Sequence, residues 1–255
     1  MSAENAAYVV RGGQASIEQI VVADPGPGLV AVDVRASGVC HSDLHVLAGD
    51  WSADVPLVLG HEASGVVSAI GAGVTGVAVG DHVVLSWFAP CGKCVNCAAG
   101  RGWLCTGTTA LANTLPDGST AYTDADGGEV WPYLGLGAFT AHVVVPASAA
   151  VVVPAELPFE IGAVLGCAVT TGVGAVLNTA GVRPGEKAAV IGCGGVGLST
   201  IIGLRLVGAD PIIAVDVSDE KLEAAAALGA TVLVRGDRED AVAAVLAASG
   251  GGVDY

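Results

Sequence analysis

The rhythm of apolar and polar positions changes once along this chain. Residues 30–36 (Val-Ala-Val-Asp-Val-Arg-Ala) alternate with a period of two, which predicts a strand buried on one face. Residues 63–70 predict another strand, closed by Gly71-Ala72-Gly73. Gly80-Asp81 turns into a third at 82–85, and 138–145 forms a fourth, stopped by Pro146. Many short strands with Gly and Pro between them predict a partly open barrel or sandwich. His82 and His142 fall inside these strands and receive no chemical role.

From about Phe159 helices and strands alternate. Residues 186–191 read as a strand, 192–197 as a glycine loop and 196–207 as a helix. A second strand (211–217), a second helix (219–228), a third strand (231–234) and a third helix (237–248) follow. Residues 253–255 look like the opening of a fourth strand. Such βαβ repetition predicts a parallel sheet. The expected organisation is a β-rich domain over 1–158 and an α/β domain over 159–255.

Composition narrows the function classes. Of 255 residues, 53% are hydrophobic and 14% charged, so a sizeable core is available. Acidic residues outnumber basic ones 25 to 10, and both halves share the excess. With no basic block, neither a nucleic acid nor an anionic lipid surface is an expected partner. Residues 161–182 carry no charge, which meets the length of a membrane span. Five glycines within them favour a buried core helix instead. The N-terminus shows no charged region followed by an apolar run, so no secretory signal is expected and the reading is cytoplasmic.

Seven cysteines are present, and four of them, Cys91, Cys94, Cys97 and Cys105, fall within fifteen positions. Without a signal peptide, such crowding points to metal rather than disulfides. Four thiolates close a tetrahedron around one zinc ion and leave no open position, so the site pins a loop. An iron–sulfur cluster is the rival for so short a spacing.

Gly192-Cys193-Gly194-Gly195-Val196-Gly197 matches G-x-G-x-x-G between a predicted strand and a predicted helix. Asp216 ends the next strand, 24 residues after Gly192. This context raises a weak motif to a dinucleotide-binding fingerprint. Phosphates would meet the positive end of the helix. Asp216 would accept the ribose hydroxyls and repel a 2′-phosphate, which favours NAD over NADP. A βα turn that merely packs closely is the plain alternative.

A further concentration of chemistry lies at 38–62. It holds Cys40, His41, Ser42, Asp43 and His45 and closes on Gly60-His61-Glu62. A thiolate and a neutral imidazole are good zinc ligands. Cys167 lies apart from them, on the uncharged stretch.

GVCHSDLH, GHE, the four-cysteine segment, GC before the second domain, GCGGVG and the Asp216 strand stand in the order of the zinc-dependent medium-chain alcohol dehydrogenase family. The chain resembles that family over nearly its whole length, including the thiol-dependent formaldehyde dehydrogenase branch. The resemblance implies a GroES-like catalytic domain followed by a Rossmann doubly wound parallel sheet. It implies Cys40, His61 and Cys167 as ligands of a catalytic zinc, a set known from alcohol dehydrogenases rather than derived from spacing. It implies a structural zinc on the other four cysteines. Glu62 is implied as the acid beside the catalytic metal, Asp43 as the partner that orients His61, and Ser42 and His45 as a proton relay. His41, Lys221, Asp216 and the loop from Gly192 to Gly197 are implied in binding NAD. Trp51 and Trp87 either line a substrate pocket or pack in the core.

The implied reaction moves hydride between NAD and a primary or secondary alcohol, or an aldehyde hydrate or thiol adduct. The partner is a small molecule, and the full-length family member is expected to be a homo-oligomer. One departure stands out. A dinucleotide fold needs two βαβαβ halves, and this chain holds the first and only the start of the second. The expectation is a C-terminally truncated member, inactive as it stands. The rival function is a zinc-stabilised nucleotide-binding module without catalysis.

Overall fold

A computed structural model describes residues 3–237 and 240–255. The described chain forms two compact units, Met1–Cys167 and Ala168–Tyr255. The first runs β1 (Ala3–Arg11), β2 (Gln14–Val22), β3 (Leu29–Gly38), α1 (His41–Ala48), β4 (Leu57–Val58), β5 (Glu62–Ile70), β6 (His82–Leu85), α2 (Val95–Ala98), β7 (Tyr122–Asp124), β8 (Glu129–Pro132), β9 (His142–Pro146), β10 (Ala150–Val152) and α3 (Phe159–Val164).

Five of these strands close into a barrel in the order β1-β2-β7-β8-β4, and five form a sheet in the order β10-β6-β5-β3-β9. The barrel starts from a hairpin that the periodicity does not announce. Arg11 pairs with Gln14 across Gly12-Gly13. Both glycines have positive φ, +55° and +79°. That two-residue turn matches the twist of the flanking strands, and glycine takes it without strain. The sheet carries the predicted strands in antiparallel pairs, β3 against both β5 and β9. Val30, Val32, Val67, Val83, Leu85, Val143 and Val145 form its dry core. Residues 138–141 are not part of β9: Ala138 and Phe139 instead donate their N–H groups to the carbonyls of Gly60 and Leu59, each at 2.8 Å.

The uncharged stretch is one helical run, Phe159–Ala180. It consists of α3, a π-helical turn at Leu165–Val169, α4 (Thr170–Gly174) and a second π-helical turn at Ala175–Ala180. By length and composition alone it could cross a membrane. Only 22% of its most apolar window is buried, less than the core helix its composition predicts. The buried face is a narrow one that carries glycines. A Cβ on Gly162 would meet Ser64 at 2.9 Å, and one on Gly166 would overlap the carbonyl of Leu85. In the second unit a Cβ on Gly172 would meet the carbonyl of Val196.

The second unit continues β11 (Ala188–Ile191), α5 (Gly195–Val207), β12 (Ile212–Asp216), α6 (Asp219–Leu228), β13 (Val232–Arg235) and α7 (Ala241–Ser249). The strands pair in parallel in the order β11-β12-β13. Every residue of β12 is buried. Ile212 and Ala214 face the cluster that includes Ile201, Leu204 and Leu222, whereas Ile213 and Val215 face Ala241, Ala244 and Val245. Helices therefore cover both faces, as a doubly wound sheet requires. Residues 253–255, where a fourth strand was expected, form no strand but run alongside β11. Asp254 N–H donates to the carbonyl of Lys187 at 2.9 Å, and Ala189 N–H to that of Tyr255 at 3.0 Å. The last helix starts at Ala241 rather than at 237, because Asp240 caps it by accepting the N–H of Ala243 at 3.0 Å. Residues 238–239, which the pattern placed in that helix, lie outside the described residues.

Candidate metal centres and dinucleotide loop

Cys40 ends the extended segment before α1 and is its N-cap. The third residue of that helix, Asp43, is 1% exposed. Its Oδ2 accepts the N–H of Cys40 at 3.0 Å, and its Oδ1 accepts that of Gly60 at 3.1 Å. One carboxylate thus ties the helix start to the turn before β5. Gly60 has φ +88°, and a Cβ there would meet the backbone N of Phe139 at 2.7 Å, so only glycine fits. The next residue, His61, is 1% exposed, with Nδ1 3.4 Å from Asp43 Oδ1. That buried nitrogen has no hydrogen bond within the usual limits. Glu62 opens β5 opposite Gly38, and its carboxylate fills the space that a Cβ on Gly38 would take.

Cys167 arrives from the other side. Gly162 and Gly166 seat the helical run against β5 and β6, which fixes the π-helical turn that carries the thiol. Ser64 Oγ donates to the carbonyl of Phe159 at 2.5 Å and ties down the start of α3. The result is a cluster of Cys40, His61, Glu62 and Cys167 whose ligand atoms all lie within 4.8 Å of one another.

The charges show what the cluster lacks. Burial lowers the affinity of His61 for a proton, but Asp43 and Cys167 outweigh it and hold the ring pKa up at about 10. Cys167 is pulled down by His61, yet burial and the negative neighbours Cys40 and Glu62 push its thiol up. Two thiols, a carboxylate and one imidazole are short of a cation, and a divalent ion with S and N preference matches that donor set.

In the second group, Cys91, Cys94, Cys97 and Cys105 also lie within 4.8 Å of one another. Cys94 caps α2. Sγ of Cys105 accepts N–H groups from Cys91 at 3.2 Å and from Gly107 at 3.3 Å. Sγ of Cys94 stands 3.5 Å from that of Cys97 and 3.9 Å from that of Cys105. Four sulfurs at about 2.3 Å from one zinc stand about 3.8 Å apart. The spacing suits one tetrahedral ion and is too tight for a multi-iron cluster, whose cysteines bind separate irons. N–H donors to its sulfur lower the pKa of Cys94 to about 5, while burial and its thiol neighbours raise Cys97 to about 12.

The glycine loop joins β11 to α5. Gly192 has φ +91° and donates its N–H to the carbonyl of Val215 at 2.8 Å. A Cβ on Gly197 would overlap the Gly192 carbonyl, so the helix can start this close only with glycine there. Gly194 is different: nothing in the chain lies within 4 Å of where its Cβ would be. Asp216 accepts the N–H groups of Cys193 at 2.7 Å and Ser218 at 2.9 Å, one on each oxygen. These bonds, with the first the stronger, hold its carboxyl below the usual range. Each oxygen keeps a further lone pair. The fully buried Cys193 fills space behind the loop.

The remaining residues singled out from the sequence take varied positions. Ser42 Oγ lies 3.6 Å from Cys40 Sγ. His45 is one turn further along α1, its Nδ1 2.9 Å from Asp50 Oδ2 and its ring 5.0 Å from that of Trp51. His41 is exposed, and Lys221 lies at the start of α6 with its side chain exposed. Trp87 packs against the core of the first sheet and meets Phe88 edge-on. One residue escaped the sequence reading. Tyr133 stands edge-on to His61 at 5.7 Å and donates its hydroxyl to the carbonyl of Ser42 at 3.3 Å. Only the glycines beside it, in a loop with no periodicity, marked the place.

The family profile described as alcohol dehydrogenase GroES-like domain matches residues 26–155, and that described as zinc-binding dehydrogenase matches 195–255. The S-(hydroxymethyl)glutathione dehydrogenase of Paracoccus denitrificans is 40% identical over 86% of this chain and 60% of its own length. Alcohol dehydrogenase B of Mycobacterium tuberculosis is 41% identical over 85% and 58%. The chain thus spans about three fifths of the length of these curated relatives. Among solved structures, an alcohol dehydrogenase zinc-binding domain protein from Burkholderia ambifaria aligns with a TM-score of 0.93 at 39% identity, covering 100% of this chain and 70% of its own. Benzyl alcohol dehydrogenase from Acinetobacter calcoaceticus aligns at 0.87 and 34% identity, with 99% and 69% covered. The chain belongs to the zinc-binding alcohol dehydrogenase family.

Proposed function

We propose that this chain carries the metal centres and the adenosine side of an NAD-dependent alcohol dehydrogenase. The observation that supports it most is the convergence of Cys40, His61 and Cys167 with Glu62 around a space short of one cation. Bound there, zinc supplies a Lewis acid, and NAD bound at the loop supplies a hydride acceptor.

The chain's own residues do the rest. Asp43 stands 3.4 Å from Nδ1 of His61 and orients the ring by its charge, which leaves Nε2 for the metal. Cys40 and Cys167 would hold the ion through two negatively charged sulfurs, with the carboxylate of Glu62 beside them. Ser42, beside Cys40, takes the proton from a substrate hydroxyl, and His45, one turn along α1, passes it to solvent. Asp50 on Nδ1 of His45 keeps the proton exchange on Nε2. The four-cysteine site does no chemistry and fixes its loop.

At the loop, the free N–H groups at the start of α5 receive the pyrophosphate, with Gly194 leaving room for it. Asp216 is held ionised by its two backbone bonds and accepts ribose hydroxyls on its remaining lone pairs, so a 2′-phosphate is repelled. The substrate class is a primary or secondary alcohol or the hydroxymethyl adduct of a thiol.

The test is calorimetric titration with NADH, NADPH and ADP-ribose, with zinc per chain counted by elemental analysis. The expected result is binding of NADH and ADP-ribose that falls at least tenfold in Asp216→Ala, and two zincs per chain that fall to one in Cys40→Ser. Preference for NADPH, or two zincs retained in Cys40→Ser, overturns the proposal.

A further inference from the structure

We propose a further divalent-cation site on α1, built from His41 and His45. The two residues are four apart on one helix, so their rings lie on one face. Their centroids are 5.9 Å apart and inclined at 58°. Two imidazoles that share one ion at about 2.0–2.1 Å per bond have centroids about 5 Å apart. The observed separation is about 1 Å longer than that. Paired histidines at this helical spacing are an established way to hold zinc.

His45 is already arranged as a ligand. Asp50 engages its Nδ1 at 2.9 Å, and Trp51 lies 5.0 Å away at 31° and limits the ring's rotation. A carboxylate on one imidazole nitrogen is how metal-bound histidines are usually oriented. It leaves Nε2 as the lone pair. Among the described residues, no hydrogen bond engages the ring of His41. The helix beneath is well anchored, by Asp43 on the N–H of Cys40 at its start and by Gly49, with φ +78°, at its end. The chain's net charge of −15 raises the local concentration of any cation.

Neutral imidazoles select borderline ions such as Zn2+, Co2+ and Ni2+, not Mg2+ or Ca2+. With two protein ligands and water completing the shell, the site is weaker than either thiolate site. Its occupation has a consequence that rests on the proposed function: an ion on Nε2 of His45 takes the lone pair that receives the proton. Excess zinc would therefore slow the enzyme by blocking proton exit.

The test starts from protein freed of loosely held metal but retaining its tightly bound zinc, titrated with Zn2+ in a calorimeter. The expected result is one additional, weak equivalent. His41→Gln and His45→Gln should each weaken it at least tenfold, and Asp50→Asn severalfold. His142→Gln is the control, because His142 also carries a carboxylate, Asp33 at 2.7 Å, but has no second imidazole beside it; this variant should bind as the parent does. No additional equivalent in the parent, or an unchanged one in His41→Gln, overturns the site. Fewer than two tightly bound zincs would count against the proposed function and leave this test standing.

Discussion

Asp43 and His61 face each other across 3.4 Å, each only 1% exposed. The same carboxylate holds the backbone of Cys40 and of Gly60. It therefore does two things: it orients the ring and it joins the helix to the turn that presents the ring. Asp43→Asn keeps the size but removes the charge and turns one acceptor into a donor facing a backbone N–H. Breaking such a buried arrangement costs about 3 kcal/mol. The expected outcome is a lower midpoint in denaturant together with loss of one zinc equivalent, while the four-cysteine zinc stays. Unchanged stability with two zincs retained would show that the carboxylate is not the anchor.

Metal-free protein should carry the signature of His61 in its pH dependence. The folded ring has a pKa of about 10, above its ordinary value of about 6.5. A raised pKa stabilises the folded state fully below pH ~6.5, and the contribution is lost as the pH rises towards 10. Other thiols titrate in this window, so the relevant quantity is the difference between the parent and His61→Gln. That difference should shrink steadily from pH 6.5 to 10. Metal uptake should release protons over the same range. A difference that grows with pH would contradict the assignment.

The four-cysteine site predicts unequal thiol reactivity once its metal is stripped. Cys94, held at a pKa of about 5, should be alkylated first at pH 6, and Cys97, raised to about 12, last. Zinc should protect all four. Peptide mapping by mass spectrometry gives the order directly, and equal labelling of the two thiols would refute it.

The glycine loop predicts a separation between folding and binding. Gly197→Ala forces a methyl into the Gly192 carbonyl and should cost about 2–3 kcal/mol of stability, with loss of binding as a result. Gly194→Ala meets no atom of the chain and should fold within about 0.5 kcal/mol of the parent. It should still weaken NADH at least tenfold, because the methyl occupies the space proposed for pyrophosphate. Equal binding by the Gly194 variant would remove the loop from the site.

Much of this arrangement was legible in the sequence. Period-two alternation located β3, and the glycines that close 63–70 and precede 82–85 marked β5 and β6, whose residues are mostly buried. The second unit was legible almost strand by strand, since the glycine loop and the alternation of apolar strands with helices punctuate it; the Asp240 cap was not, so the start of the last helix was placed too early. The barrel strands β1, β2, β7 and β8 were not. Their core faces mix Ala, Val and Tyr122, and their order in the ring depends on contacts between residues more than a hundred positions apart. Tyr133 was missed for the same reason, because its partner His61 is far away in the sequence. The glycines at 162 and 166 were read as a composition that favours a core helix. Their use, to bring Cys167 close to β6, follows only from packing.

The account depends most on Cys167 meeting Cys40 and His61 at one ion distinct from the four-cysteine site. Zinc content per chain, measured by elemental analysis on the parent and on Cys167→Ser, tests this directly. The account predicts two zincs in the parent and one in the variant, with Cys105→Ser losing the other. One zinc in the parent, or two in Cys167→Ser, would contradict it.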